Sequence, residues 1–378
     1  MNPGMYPYII VGAGFWGSVI AERIASVRGE KVLVIDRRNH TGGNSHSFVD
    51  NGTGIECHAY GTHIFHTRKH RVWEYLSGFT RFNYYRHKVL TEYRGRAYPM
   101  PISLATINAF YGLGLKPEEA RAFIAGEAAK AGITAPANLE EKAVSLIGRP
   151  LYEAFIKGYT LKQWQRDPRD LPAAIIDRLP VRTNYNPEYF DDPWQGQPES
   201  GFHGLFDALL SHPNITVSLG TDYADIRDVL SSGSTVFYSG ALDEFFGYSL
   251  GMLNWRSLRF ERETLPVPDF QGAAVINQAD ESVPYTRTHE FRHLHPERGH
   301  PDAATVIVRE YPMAFSKGDI PYYPVNTASD TALLSRYKDL ARQTAPDMVF
   351  GGRLGSYRYM DMDTTIDDAL ETFDRVLG

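Results

Sequence analysis

The six residues Gly12-Ala13-Gly14-Phe15-Trp16-Gly17 have the spacing of a loop that binds phosphate groups. They follow the short apolar run Tyr8-Ile9-Ile10-Val11 and precede a segment with apolar residues at helical spacing. In this context Gly12 permits a tight turn, Gly14 lets the backbone approach a pyrophosphate, and Gly17 lets the helix pack on the strand. The helix N-terminus then favours the negative charge of the phosphates. The loop therefore predicts a dinucleotide cofactor.

The residues after the next strand indicate which dinucleotide. A second apolar run ends at Asp36, about 20 residues beyond the glycines, where an acid binds the ribose hydroxyls of the adenosine half. Arg37 and the turn Gly42-Gly43-Asn44 come next, and this order resembles FAD enzymes of the amine oxidase group. In those enzymes a late segment returns to the flavin, and here Gly351-Gly352-Arg353 opens such a segment. FAD is therefore predicted, rather than NAD.

Two arginines have the chemistry of a diphosphate clamp. Arg182 begins a stretch, residues 181–202, that is rich in Pro, Gly, Asn and aromatics and is predicted to be a mobile loop. Arg287 follows Val283-Pro284-Tyr285-Thr286. A guanidinium binds phosphate oxygens in pairs, so a second arginine would suit a diphosphate. For either arginine alone, an ordinary solvent-exposed residue is the default interpretation. Trp164 fits a stacking platform and a core aromatic about equally well.

The segment His289-Glu290-Phe291-Arg292-His293 matches the H-E-x-x-H pattern of zinc proteases. That pattern needs a helix, because only a helix brings both histidines to one metal. Residues 288–295 instead alternate like a strand, which would separate the two histidines by roughly 13 Å. His58 and His70 lack acidic or cysteine partners at close spacing and are predicted to be polar surface or loop residues. No metal site is predicted.

The elements that must position these residues begin as a β-α-β unit. Residues 8–11 and 31–35 are predicted as buried parallel strands, and residues 18–27 as the helix between them. Residues 104–179 have helical spacing, with helix starts at Pro117 and Asn138. Residues 255–312 alternate with period two, which predicts an antiparallel sheet. Further predictions are strands over 84–90, 92–94, 96–98, 235–240 and 349–350, and a closing helix over 366–377.

This pattern predicts an α/β protein in which a Rossmann-like FAD-binding domain carries an inserted helical domain and an antiparallel β-sheet domain. The FAD domain is expected to be discontinuous, over residues 1–79, 203–249 and 323–378. The helical substrate domain is expected at 104–180. The β-sheet domain with the mobile loop is expected at 80–103, 181–202 and 250–322.

Composition excludes several classes of function. The chain has 378 residues and a net charge of −6, which argues against a nucleic-acid scaffold or a polybasic membrane module. Cys57 is the one cysteine, so no intrachain disulfide can form, as is typical of a reducing compartment. Residues 8–21 are apolar, but no basic residue precedes them and three glycines interrupt them, which is a poor signal sequence. A cytoplasmic protein without membrane insertion is predicted, and a homodimer or higher homo-oligomer is left open.

Several blocks in order resemble the prokaryotic UDP-galactopyranose mutases over nearly the full length of the chain. The blocks are residues 38–44, 60–67, 157–164, 179–182, 269–272, 283–287, 321–326 and 350–354. The resemblance implies an isomerase that interconverts UDP-galactopyranose and UDP-galactofuranose with no net redox change. It implies a covalent sugar adduct at N5 of reduced FAD, so that the cofactor is the nucleophile and no nucleophilic side chain is required. Preorganised arginines would hold the departing diphosphate nearby.

The resemblance also assigns roles by matching motif positions. Arg182, Arg287 and His63 are implied as catalytic, the first two as the diphosphate clamp and His63 on the flavin side. The implied substrate residues are Tyr159, Thr160, Trp164, Trp194, Asn277, Tyr323, Tyr359, Arg256 and His66. The implied cofactor residues are Gly12, Gly14, Phe15, Gly17, Asp36, Arg37, Gly43, Asn44, His63, Ile64, Arg353, Asp361 and Met362.

The chain departs from the family pattern at four places. Trp194 stands where many members carry Tyr, and Ser200-Gly201-Phe202-His203 replaces a run closer to Gly-Gly-Tyr-Thr. These two changes leave the choice of sugar and the loop geometry open. Asp363 replaces a common His and is expected to alter only a helix start, whereas Asp36 in place of Glu is chemically mild.

Three other functions stay open at this stage. One is a mutase for another nucleotide sugar, such as UDP-N-acetylgalactosamine or UDP-arabinose. Another is an FAD-dependent oxidoreductase of the amine oxidase type, which must pass electrons to an acceptor, whereas a mutase works only when reduced. The third is a nucleotide-sugar binding protein without activity, for which both the arginine pair and the flavin motif would be superfluous.

Overall fold

The computed structural model describes residues 3–176, 180–230 and 233–378, and over these ranges the chain forms sixteen strands and twelve α-helices joined by turns and short 3-10 or π-helical segments. The strands are β1 (Tyr8–Val11), β2 (Val32–Asp36), β3 (Ser47–Val49), β4 (Glu56–His58), β5 (Phe65–Thr67), β6 (Val89–Tyr93), β7 (Arg96–Met100), β8 (Trp194–Gly196), β9 (Ile215–Leu219), β10 (Thr235–Tyr238), β11 (Trp255–Leu265), β12 (Val275–Gln278), β13 (Arg287–Glu290), β14 (Thr305–Ala314), β15 (Tyr323–Pro324) and β16 (Met348–Phe350). The helices are α1 (Phe15–Arg23), α2 (His70–Ser77), α3 (Leu104–Tyr111), α4 (Pro117–Ala129), α5 (Leu139–Leu151), α6 (Gly158–Trp164), α7 (Gly201–Leu209), α8 (Tyr223–Ile226), α9 (Leu242–Phe245), α10 (Ala328–Thr344), α11 (Gly352–Ser356) and α12 (Met362–Leu377).

A five-stranded parallel sheet has the order β16-β10-β1-β2-β9, so strands distant in sequence meet beside the glycine loop. Its strands are apolar on both faces, as a parallel sheet covered on both sides requires. Ile9 and Leu33 face one hydrophobic cluster, whereas Ile10 and Val34 face another that contains α1, α7 and α12. The predicted β-α-β unit is confirmed.

A second sheet has seven strands in the order β15-β11-β14-β13-β12-β6-β7. The predicted antiparallel sheet is correct except at one pairing, because β12 runs parallel to β6. A parallel neighbour needs a long connection, and the helices between β7 and β8 provide one. The β6–β7 hairpin turns at Arg94 and Gly95, whose φ values of 50° and 72° fit a two-residue turn.

The helical segment packs on one face of this second sheet. Pro117 begins α4, and the Asn138 side chain accepts a hydrogen bond from Glu141 N at 2.9 Å at the start of α5, as the sequence predicts. Residues of α3, α4 and α5 share a hydrophobic cluster with Val89, Val275 and Val308 of the sheet. The division into three domains stays a prediction. Among the described helices, none is both long and apolar enough to cross a membrane.

Four predicted boundaries are wrong by three residues or more, among them the start of the closing helix, which lies at Met362 instead of residue 366. The first helix begins at Phe15 instead of residue 18, and it continues as a π-helical turn until Gly29, whose φ of 68° ends it. The strand predicted from residue 84 begins only at Val89. The alternation predicted through residue 295 ends at Glu290, where a 3-10 helix begins. Period-two and helical patterns are hard to separate over such short stretches.

Candidate functional site

The glycine loop is built so that side chains could not replace Gly12 or Gly17. Gly12 has a φ of +105°, and a Cβ there would lie 2.1 Å from Ser239 Oγ. A Cβ on Gly17 would lie 2.0 Å from Gly12 O and 2.8 Å from Ile10 Cγ2. The first glycine therefore makes the turn and the third allows α1 to contact the loop, as the motif predicts.

The second glycine lies where a phosphate group would approach. Gly14 is the N-cap of α1 and makes no side-chain capping bond, so the first N–H groups of the helix remain for an anion. The turn at Gly42 and Gly43 packs directly on this loop, with Gly42 N donating to Ala13 O at 2.7 Å. The Gly43 Cα lies 3.7 Å from where a Gly14 Cβ would stand. These two glycine turns together form one wall of a cleft.

The cleft has a volume of about 770 Å³. Most of the predicted cofactor residues line it: Gly12, Gly14, Phe15, Asp36, Arg37, Gly43, Asn44, His63, Arg353 and Met362. The other three take different places. Gly17 packs under Gly12, Ile64 belongs to the hydrophobic cluster of the helical segment, and Asp361 is the N-cap of α12.

Sequence reasoning missed two thirds of the cleft lining, 20 of its 30 residues. The missed residues are Val11, Trp16, Arg38, Gly42, Ser45, Thr221, Asp222, Tyr223, Ala224, Arg227, Tyr238, Ser239, Gly240, Glu244, Phe245, Phe246, Gly247, Gly352, Leu354 and Thr365. Many follow β9 and β10, which flank β2 and β1 in the parallel sheet. Ligands bind at the carboxyl ends of such strands, so the predicted strand over residues 235–240 was a usable signal.

Asp36 ends β2 beside the glycine loop. Its carboxylate accepts hydrogen bonds from Ala13 N and Arg38 N, both at 2.9 Å, and its side chain is buried. A carboxylate has about four acceptor sites, so two remain for ribose hydroxyls. The acid thus holds the loop closed in addition to facing the cleft. Glycines that admit no side chain, an uncapped helix start and this acid fit a dinucleotide cofactor.

His63 lies in the turn between β4 and β5. Its Nδ1 lies 2.7 Å from the Gly61 carbonyl, which can only accept, so Nδ1 carries the proton and Nε2 is an acceptor. Burial lowers the pKa of His63 to about 4, and the Arg353 charge adds to the effect although the Gly61 contact opposes it. The ring is therefore neutral at pH 7.

Arg353 joins the cleft to a pair of tyrosines. Its guanidinium donates to the Met360 carbonyl at 3.1 Å and to the Tyr322 carbonyl at 3.2 Å. It lies 5.9 Å and 5.7 Å from the ring centres of Tyr323 and Tyr359, which stack on each other at 6.1 Å. The structure therefore brings these three predicted site residues together.

Arg287 has both a hydroxyl and a carboxylate partner. Its Nη2 donates to Tyr159 Oη at 2.6 Å, and its Nη1 lies 3.6 Å from Glu310 Oε2. Although burial alone would raise the pKa of Glu310, Arg287 and His289 lower it to about 2. Burial raises the pKa of Tyr159, so its hydroxyl keeps a proton to donate. A buried carboxylate thus holds a cationic arginine beside a phenol.

The close packing of α6 positions these groups. A Cβ on Gly158 would lie 2.2 Å from the Ala279 carbonyl, so the helix contacts the turn after β12. One turn later, Lys162 Nζ donates to the carbonyls of Gln278, Asp280 and Tyr285 at 2.8, 2.8 and 3.1 Å. The helix that carries Tyr159 and buried Thr160 is therefore tied to the chain that leads to Arg287.

Two further predicted residues have buried polar atoms without partners among the described residues: Asn277 Oδ1 and Arg256 Nη2. Asn277 pairs with Arg287 across β12 and β13, and Arg256 pairs with Tyr323 across β11 and β15. Arg256 donates to the Gln163 carbonyl at 3.2 Å, and burial lowers its pKa. Buried polar groups left unpaired are unusual and suit a ligand.

Arg182 is held within its own loop. Its guanidinium lies 2.7 Å from Asp191 Oδ1 and also donates to the Glu188 and Asn186 carbonyls. The side chain is 10% exposed. The structure therefore places Arg182 on intraloop acceptors and does not bring it together with Arg287 through a described contact.

Of three other predicted substrate residues, two contact aromatic rings and one packs against a hydrophobic cluster. His66 stacks on Phe190 at 3.7 Å and bonds Asp192 at 2.6 Å. Trp194 lies opposite Thr67 in the β5–β8 pair and stacks on Trp73 at 6.3 Å. Trp164 packs against the core of the helical segment, which is the alternative left open for it.

The remaining departures have structural partners. Gly201 has a φ of +74°, and a Cβ there would lie 2.1 Å from Glu56 Oε1. Phe202 N donates to the same Glu56 oxygen at 3.2 Å, so the altered run seats α7 on a buried carboxylate. Asp363 accepts from Thr67 Oγ1 at 3.0 Å and from Thr364 N at 2.6 Å in the first turn of α12.

The H-E-x-x-H segment does not form a zinc-protease helix. His289 lies on β13 and His293 on the following 3-10 helix, with separate partners: Glu310 for His289 and Asp269 for His293. Asp269, Glu290 and His293 do lie close enough to share an ion. However, Glu290 already accepts hydrogen bonds from Phe270 N, Gln271 N and Thr305 Oγ1, which occupy most of its acceptor sites.

Comparisons with known proteins identify the family of this chain. The family model for UDP-galactopyranose mutase matches residues 154–359, and that for an NAD(P)-binding Rossmann-like domain matches residues 10–79. A protein named "Probable UDP-galactopyranose mutase" from Klebsiella pneumoniae is 43% identical over 370 residues, covering 98% of this chain and 94% of its own. A dTDP-fucopyranose mutase from Escherichia coli is 39% identical over 371 residues, covering 97% of each.

Solved structures show the same fold. A crystal structure of reduced UDP-galactopyranose mutase matches with a TM-score of 0.75 at 16% identity, covering 99% of this chain and 96% of that one. A putrescine oxidase variant matches with a TM-score of 0.58 at 12% identity, covering 98% and 99%. The predicted α/β class with a Rossmann-like domain is confirmed. The chain belongs to the UDP-galactopyranose mutase family, whose members are flavin-dependent isomerases.

Proposed function

We propose that this chain interconverts UDP-galactopyranose and UDP-galactofuranose with no net redox change, using FAD in its reduced form. The observation that carries the proposal is the carboxylate-backed Arg287 beside Tyr159. Its partner Glu310 lies next to Gly61, whose turn continues to His63 in the cofactor cleft. A fixed cation near a dinucleotide cleft is what a diphosphate leaving group needs.

The residues of the cleft suit FAD. The N–H groups at Gly14 and the start of α1 would hold the pyrophosphate, and Asp36 would hold the ribose. His63 and Arg353 would contact the flavin half. When bound and reduced, FAD supplies the nucleophile for the anomeric carbon at its N5, so the protein itself need not provide one.

The protein's own groups would hold the diphosphate while the bond between the anomeric carbon and the phosphate oxygen breaks and is later remade. Arg287 stabilises the charge that develops on the leaving oxygens, and the Tyr159 hydroxyl donates a hydrogen bond to them. Arg182 would have to exchange Asp191 and the loop carbonyls for the diphosphate. The neutral His63 offers Nε2 as an acceptor for a sugar or flavin hydrogen.

A second candidate is a mutase for a thymidine-linked deoxysugar, because the dTDP-fucopyranose mutase is nearly as similar as the Klebsiella protein. The two substrates differ at the base methyl group, the ribose 2′-hydroxyl and sugar carbon 6. The diphosphate is common to both, so Arg287 serves either.

One experiment separates these reactions. Dithionite-reduced, FAD-loaded protein is incubated with UDP-galactofuranose, dTDP-fucofuranose, or the furanose forms of UDP-N-acetylgalactosamine and UDP-arabinose, and the pyranose products are followed by chromatography. Conversion of UDP-galactofuranose with the highest kcat/KM supports the proposal, and a preference for dTDP-fucofuranose supports the second candidate. Substrate-dependent oxygen consumption by oxidised protein, without isomerisation, would instead indicate an oxidoreductase.

A further inference from the structure

A chain of buried polar contacts runs from Arg287 to the turn that lines the cofactor cleft. Arg287 Nη1 lies 3.6 Å from Glu310 Oε2, and the same oxygen lies 3.2 Å from His289 Nε2. His289 Nδ1 lies 2.7 Å from Thr62 Oγ1. Thr62 immediately precedes His63. His289 is 1% exposed and Glu310 is 2% exposed, so the contact between them is shielded from water, whereas the Arg287 side chain is 32% exposed.

The sheet register brings these groups together. Arg287 and His289 are two residues apart on β13, so their side chains point to the same face. Glu310 of β14 lies directly opposite Arg287. One carboxylate can therefore contact both side chains, one directly across and one diagonally.

The protonation states along this chain follow from chemistry. Arg287 and His289 keep Glu310 ionised, with its pKa lowered to about 2, so Glu310 can only accept hydrogen bonds. His289 Nε2 must therefore carry a proton. The Thr62 hydroxyl faces Nδ1 at 2.7 Å and can donate to it or accept from it. Each side chain thus fixes the orientation of the next.

The turn at Gly61 lies beside this chain of polar groups. Gly61 has a φ of +89°, and a Cβ there would stand 3.5 Å from Glu310 Oε2. The Gly61 carbonyl accepts from His63 Nδ1 at 2.7 Å. A shift of Glu310 would therefore be felt at Thr62 through His289, and Thr62 lies between Gly61 and His63.

We infer that Thr62, His289 and Glu310 form a positioning relay that couples diphosphate binding at Arg287 to cofactor binding at the Gly61–His63 turn. This inference rests on the proposed function, in which Arg287 holds the diphosphate. The relay sets the separation between the leaving group and the cofactor. Because coupling between two sites is reciprocal, UDP tightens FAD binding by the same factor as FAD tightens UDP binding.

Two substitutions of His289 separate the contacts of the relay. The Gln amide nitrogen reaches the position of His Nε2, so H289Q keeps the Glu310 contact and loses Thr62. The Asn amide reaches the position of Nδ1, so H289N keeps Thr62 and loses Glu310. T62V removes the hydroxyl at similar volume, and T62S restores it.

The matched control is T305V, because Thr305 also donates to a buried carboxylate of the same sheet. Thr305 Oγ1 lies 2.7 Å from Glu290 Oε1. Glu290 accepts hydrogen bonds from the backbone of Phe270 and Gln271, whereas Glu310 contacts Arg287. T305V thus removes a similar buried hydrogen bond outside the relay. This variant therefore measures how the loss of one buried hydrogen bond affects binding when the relay is intact.

The experiment measures the dissociation constant of FAD from each variant with and without saturating UDP, by flavin fluorescence, and that of UDP with and without FAD, by calorimetry. The expected result is a coupling factor of about 5 or more in the wild type and T62S. We expect a factor near 1 in T62V, H289Q and H289N, and no further loss in T62V/H289Q. T305V should lower the melting temperature yet keep the wild-type factor.

Unchanged coupling in both T62V and H289Q would overturn the relay, as would equal loss in T305V. Conversion of UDP-galactofuranose by the wild type tests the proposed function separately. Coupling that depends on Thr62 without conversion would reject the reaction and keep the relay. Conversion with coupling that is indifferent to Thr62 would reject the relay alone.

Discussion

Replacing Gly17 by Ala should damage both the fold and the cofactor site. The new Cβ would stand 2.0 Å from Gly12 O, where about 3.0 Å is the closest real contact, so α1 or the loop must move by about 1 Å. Both partners are backbone or buried strand atoms, so no flexible side chain can absorb the shift. Overpacking of this kind costs about 1–3 kcal/mol in the free energy of unfolding.

Gly14 offers the matched comparison. Its φ is −80°, and the nearest atom to a new Cβ is Gly43 Cα at 3.7 Å, an ordinary contact. Gly14→Ala should therefore leave the flavin-free protein as stable as the wild type. The methyl group would still stand where the pyrophosphate approaches the backbone, so flavin should be lost. Gly126→Ala, on an exposed face of α4 with no atom within 4 Å, should stabilise the protein by about 0.5–1 kcal/mol.

The assay has two parts for each variant. Bound flavin per chain is measured by absorbance after purification, and the free energy of unfolding is measured by denaturant titration of flavin-stripped protein. We expect Gly17→Ala to fail both, Gly14→Ala to fail only the first, and Gly126→Ala to pass both. A flavin-free Gly17→Ala protein as stable as the wild type would refute the close-contact argument, as would a Gly14→Ala protein that is equally destabilised.

Three further predictions follow from the site. Arg287→Ala should lower kcat by about 10²–10³-fold while flavin stays bound, whereas R342A, on a 76% exposed arginine of α10, should not; near-normal turnover in Arg287→Ala would remove it from the diphosphate site. Lys162→Met should raise KM more than it lowers kcat, because the turn before Arg287 loses three hydrogen bonds. The control is K130M, which replaces an exposed lysine, and equal KM values for the two variants would contradict this prediction. Burial lowers the pKa values of His58 and His87 to about 3 and of His63 to about 4, so the unfolded chain binds more protons between pH 6.5 and 4. The free energy of unfolding should therefore decrease as the pH is lowered through that window, by up to about 1.4 kcal/mol per pH unit for each histidine. The slope should be shallower in H87F, and a free energy of unfolding that stays constant from pH 7.5 to 5 would refute the prediction.

Local patterns were sufficient for the cofactor loop. Gly12, Gly14, Gly17 and Asp36 lie within one β-α-β unit, so their spacing along the chain nearly equals their arrangement in space. The caps at Pro117 and Asn138 were predictable for the same reason, since a helix start depends on a few adjacent residues. Motif resemblance extended this to Arg287, Tyr323 and Arg353, which are distant in sequence.

Packing decided what periodicity could not. The parallel pairing of β12 with β6 depends on how the intervening helices return the chain, and alternation is the same in either direction. Arg182 carries the right chemistry for a phosphate, yet in this structure its loop supplies its partners. Trp194 stacks on Trp73, a neighbour that no local pattern indicates, and only packing decided that Trp164 lies against the core of the helical segment.

His289 shows the division most clearly. The sequence placed it in a zinc-like pattern, and strand periodicity correctly argued against the helix that zinc requires. Only the pairing of β13 with β14 put Glu310 beside it, and only the turn after β4 put Thr62 at its other nitrogen. Thus the sequence by itself determined the dinucleotide loop, the alternation of elements and the residue types available for a diphosphate. The tertiary structure decided which charged groups neutralise one another, because such partners meet across strands and not along them.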